Sequence, residues 1–73
     1  MAKYWIGNAP TQCDLSPHHS HAITTKFVDG KTRFGPWANM CLTCHKQAGF
    51  GLGTGKGQLY EKQDDGKWLK VKG

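Results

Sequence analysis

What this chain has little of narrows its class before any motif is considered. Only 37% of its 73 residues are hydrophobic, and a chain so short buries too little apolar surface to offset chain entropy without a staple. Nowhere do eighteen apolar residues run together, and the start, Met-Ala-Lys-Tyr-Trp-Ile-Gly, holds no apolar stretch of signal-peptide length, so a soluble, cytoplasmic protein is expected. Three cysteines cannot all pair within one chain, which argues against a secreted disulfide framework. In a reducing compartment, clustered thiols are more often metal ligands or reactive groups. Arg33 is the single arginine, which leaves little for bidentate base contacts. No Ser-His-Asp order and no catalytic carboxylate pair stand out, so a non-enzymatic protein is expected.

What is present begins with charge. Ten Lys plus Arg against five Asp plus Glu give +5, favouring polyanionic partners or simply solubility. Acids and lysines mix near the C-terminus, where Lys62, Lys67, Lys70 and Lys72 share a segment with Glu61, Asp64 and Asp65. That dilution favours a protein partner over nucleic acid, which stays secondary, and a monomer with no membrane role.

Local patterns read as a β-rich single domain over 1–73. Residues 24–34 place two β-prone arms around Asp29-Gly30, a type I′ turn signal, and 58–63 with 67–71 flank Asp64-Asp65-Gly66. Both are expected hairpins. A short strand is expected at Lys3–Ile6, an extended stretch at 37–40, a tight loop at Cys41–Cys44, and one helical turn after His45. Alternate glycines from Gly49 to Gly57 favour neither helix nor strand, giving a flexible loop. That loop is not a Walker motif, because Phe50 and Gly57 stand where Gly and Ser or Thr are needed.

The chemistry gathers on Cys41-Leu42-Thr43-Cys44, a C-x-x-C unit whose sulfurs can converge on one tetrahedral ion. Two further ligands are needed. Cys13 lies upstream, but Ser16 occupies the position of its own C-x-x-C partner, so the fourth ligand is expected from the cluster His18, His19 and His21, with His18 and His21 the candidates. Zn2+ is the expected cofactor. Cys44-His45 also completes a C-x-x-C-H unit of the haem-attaching kind, although Met40, the one internal methionine, lies upstream of it. Among the aromatics, Trp37 is expected to pack beside the metal site. Tyr4, Trp5 and Trp68, with Lys56, Lys67 and Lys70, are the candidate partner-binding residues, aromatic anchors among steering charges. The Tyr4-Trp5-Ile6 strand would offer an edge for strand addition.

Two resemblances extend this reading. Trp37-Ala38-Asn39-Met40 before Cys41-x-x-Cys44-His45 resembles the C-terminal zinc half of HNH endonucleases, with His21-Ala22-Ile23 standing where their catalytic histidine would be; no Asp precedes His21, and Asn39 lies only two residues before Cys41. Phe27-Val28-Asp29-Gly30-Lys31-Thr32, Gly35 through Cys41, and Gly51 through Tyr60 resemble small zinc-ribbon-like proteins of tailed phages. That resemblance implies a metal-stabilised zinc-ribbon or treble-clef-like fold with two hairpins and at most one short helix. It also implies a transcription-regulating module that binds host machinery such as RNA polymerase. A direct DNA- or RNA-binding zinc ribbon and a degenerate HNH-like nuclease are the alternatives.

Overall fold

A computed structural model describes residues 3–15 and 22–73. Four antiparallel strands form one sheet: β1 (Lys26–Lys31), β2 (Trp37–Met40), β3 (Gly57–Lys62) and β4 (Trp68–Lys72), in the order β2-β1-β3-β4. A single short helix among the described residues, α1 (Leu42–Ala48), follows β2 directly. This is the small β-rich domain expected, with two hairpins and one helix. The C-x-x-C pair opens the helix that follows the first hairpin.

The first hairpin turns later than its Asp-Gly signal suggests. Asp29 and Gly30 lie inside β1, paired with Asn39 and Ala38 on one side and with Gln58 and Gly57 on the other. A Cβ on Gly30 would sit 2.9 Å from the Lys56 carbonyl oxygen and 3.1 Å from the Gly57 Cα. Close strand approach, not a turn, is what requires glycine there. The chain reverses at 32–36 instead: Gly35 N–H donates to the Thr32 carbonyl (3.1 Å), with Gly35 at φ +108°. Thr32, buried, gives its hydroxyl to the Pro36 carbonyl at 2.7 Å. The second hairpin falls as its sequence indicates. Gly66 (φ +86°) donates to the Gln63 carbonyl at 3.0 Å, and Asp65 accepts from Lys67 N–H at 2.9 Å.

Cys41 to Cys44 is not a loop. Cys41 is the extended N-cap of α1, and its sulfur accepts from the Cys44 N–H at 3.5 Å, the role oxygen side chains usually fill. The cap in turn brings Cys44 into the first helical turn. After the helix, Gly49 bridges to Thr32 and Gly53 to Gly57, so the glycine-rich stretch is tied to the sheet by backbone hydrogen bonds.

Pleating sends alternate β1 side chains to opposite faces. Phe27, fully buried, packs on one face in an aromatic cluster: its ring stacks on Tyr60 at 5.2 Å and meets Trp5 and Trp68 edge-on at 5.2 and 5.1 Å. Val28 points the other way, beside its partners Met40 and Leu59. Met40 joins Cys13 and Cys44 in a second buried cluster, flanked by Leu15, Ala38 and Cys41. Both sheet edges are blunted. Lys3–Trp5 hydrogen-bonds to β4 (Trp5 N–H to Trp68 O, 2.9 Å; Lys70 N–H to Lys3 O, 2.8 Å), while Asp14 clasps Asn39 on β2 through two bonds of 2.8 and 2.9 Å. Tyr4 therefore makes a single bridge, to Leu69, rather than starting a strand.

Candidate metal centre

Three elements deliver the cysteines. Asp14's two bonds to Asn39 pin the N-terminal segment against β2 and so hold Cys13 inward, 2% exposed. β2 ends at Met40, which places Cys41 at the start of α1 and Cys44, 4% exposed, one turn on. Cys41 is half-buried. The three sulfurs lie within 4.8 Å of one another, and no disulfide joins them. Around a tetrahedral zinc with Zn–S near 2.3 Å, sulfurs stand about 3.8 Å apart, so the cluster needs only small side-chain adjustments to close on one ion.

Without an ion, the electrostatics of the cluster favour the protonated thiol at Cys44. Burial, then hydrogen bonds with the Cys41 and Cys13 side chains and the proximity of their charge, pushes the Cys44 thiol up to about 12. Thiolates crowded this way are not self-sustaining; a divalent cation would reverse the balance, because coordination deprotonates a thiol outright. The donor set is soft and sulfur-rich, of the kind that suits zinc.

The structure brings together Cys13, Cys41 and Cys44 of the predicted ligands. His18, His19 and His21 lie outside the described residues. His45 is turned elsewhere: its Nε2 lies 2.8 Å from the Gly51 carbonyl oxygen, and its ring packs so close to Gly49 that no Cβ fits there. It thus locks the start of the glycine-rich loop, a role the C-x-x-C-H spacing did not reveal. Of the predicted contact residues, Trp5 and Trp68 are half-buried in the aromatic cluster, Tyr4 is exposed with Lys67 5.8 Å over its ring, Lys56 is exposed, and Lys70 is half-buried. Trp37, expected beside the metal site, is instead 48% exposed. No helix among the described residues is long and apolar enough to cross a membrane.

Fold and cluster together define a small β-rich domain with a three-cysteine candidate metal centre. No family model, curated protein or solved structure matches this chain.

Proposed function

We propose that this chain is a non-enzymatic, zinc-stabilised module that binds a macromolecule belonging to nucleic-acid machinery. The observation that carries the reading is the convergence of Cys13, Cys41 and Cys44 sulfurs within 4.8 Å. Their positions suit a structural role: the ion would tie the N-terminal segment to β2 and α1, which share few other buried side chains. The fourth ligand is one of His18, His19 and His21.

The test is metal content. Native mass spectrometry of protein purified without chelators should find one zinc per chain, with Cys13→Ser, Cys41→Ser and Cys44→Ser each losing it. Only one of His18→Ala, His19→Ala and His21→Ala should approach that loss, the other two binding zinc nearly normally. A well-dispersed NMR spectrum from protein that takes up no metal under excess zinc would refute the reading, and a Soret band would transfer the site to haem.

A further inference from the structure

From Gly30 to Tyr60 the sequence contains Lys31, Arg33, Lys46 and Lys56 and no acidic residue. This stretch builds one end of the molecule: the β1–β2 turn, α1 and the glycine-rich loop. The same end carries three of the four large aromatics exposed among the described residues; the fourth, Tyr4, lies at the β4 edge with Lys67 over its ring. Phe34 is 75% exposed, Phe50 49% and Trp37 48%, whereas Trp5, Phe27, Tyr60 and Trp68 contact one another. Exposed rings and cations thus occur together in a stretch that holds no acidic residue.

Register aligns them. Trp37 on β2 is the direct cross-strand partner of Lys31 on β1. On the other side of β1, Thr32 bridges Gly49, and the Lys31 Nζ lies 5.7 Å from the centre of the Phe50 ring. One cation thus stands between two half-exposed rings on adjacent chain segments. With neighbouring strands about 4.8 Å apart, the rings are separated by about two strand spacings, roughly 10 Å. Arg33 and Phe34 extend the row into the turn, and Asp29, the next residue inward on that face of β1, marks its limit by repelling anions.

We propose that the Trp37–Lys31–Phe50 row is a binding surface for single-stranded nucleic acid, two unstacked bases lying on the rings and the intervening phosphate on Lys31. The proposal rests on the reading of this chain as a binding module. Charge complementarity selects a polyanion, and flat exposed rings select one whose bases are already unstacked, since base–aromatic stacking is sequence-tolerant and needs no groove. Duplex DNA fits poorly. The seven-residue α1 is too short to present a reading face in a major groove, and Arg33 is the single arginine.

Fluorescence anisotropy of the full chain with labelled oligo(dT) and oligo(rU) of about twelve nucleotides tests this, against a duplex of equal length. Binding to the single strands should exceed duplex binding at least tenfold. Trp37→Ala and Phe50→Ala should each weaken it about tenfold, and Trp37→Phe should restore most of the loss. Lys31→Ala should make the salt dependence shallower by about one phosphate, a slope change near 0.7. Zinc content and NMR dispersion measured on the same samples separate a failed fold or an absent metal from a failed surface. The proposal is overturned if folded protein ignores both oligonucleotides at low salt, or prefers the duplex. It is equally overturned if both ring variants bind as the parent does, or if the row proves necessary only for binding phosphatidylserine vesicles.

Discussion

Asp29 is a carboxylate held where the fold would prefer a neutral group. It is half-buried in β1 between Asn39 and Gln58, and burial, followed by repulsion from Asp14, raises its pKa above the ordinary carboxylate range. A raised carboxyl stabilises the fold fully below the unfolded pKa and loses that contribution as pH climbs through the folded one, so at neutral pH the charge is a cost. Asp29→Asn is therefore expected to raise the thermal midpoint at pH 7 by a few degrees and to give little or no gain near pH 3, read from melts at both. A second readout is independent of stability. The Tyr60 hydroxyl is raised first by burial and then by the Asp29 charge, so the same variant should shift the Tyr60 titration back toward its ordinary range. At this scale the sequence was readable where chemistry is local: residue type and spacing sufficed to group Cys13, Cys41 and Cys44, whose sulfurs the fold brings together. Asp29 and Gly30 misled because a turn dipeptide in isolation carries no information about which strands will flank it.

Elements show why that information is non-local. Asp64-Asp65-Gly66 and Asp29-Gly30 present the same turn chemistry, yet only the first turns, because Gly30 instead faces Gly57 across the β1–β3 pair. That glycine pair allows the close approach seen at the Lys56 carbonyl. Gly30→Ala must displace backbone rather than a flexible side chain. The expected loss is about 1–3 kcal/mol, as for overpacking a tight site, measured by urea unfolding with unchanged m-value. Helix α1 was hidden for a different reason. Seven residues are too few to be stable by propensity, and a thiol is not among the usual caps. Cys41 caps it all the same, with a sulfur accepting the Cys44 N–H, so the pair that would bind the metal also starts the helix.

At the scale of the whole molecule, the described residues form two packing centres on opposite faces of one sheet, and β1 serves both. Phe27 anchors the aromatic cluster, while Val28, one residue on, lies beside Met40 of the cysteine cluster; all three are at most 1% exposed. The abundance of aromatics foretold a core built from rings. Which rings remained outside could not be foretold, because Trp37's exposure depends on the register of β2 against β1. The centres differ in what sustains them. Rings contribute by area and stacking whether or not an ion is bound, whereas the cysteine cluster collects three buried or half-buried thiols and little aliphatic surface around Met40, Leu15 and Ala38. In such modules metal binding energy is folding energy, about 10–16 kcal/mol for structural zinc near neutral pH, well above the stability expected of a chain this size. Chelation should therefore abolish the cooperative thermal transition, and amide exchange should show where the loss begins. Protection is expected to vanish first at 39–48, covering Asn39, Met40 and α1, and last at Tyr60, Glu61 and Leu69, whose strands flank the aromatic cluster. Phe27→Ala should reverse that order by removing the ring that Trp5, Tyr60 and Trp68 pack on, at about 3–5 kcal/mol even with zinc in excess. Equal protection of both regions before and after chelation, with the melting transition retained, would show that the rings hold the sheet unaided and that the ion contributes nothing to folding.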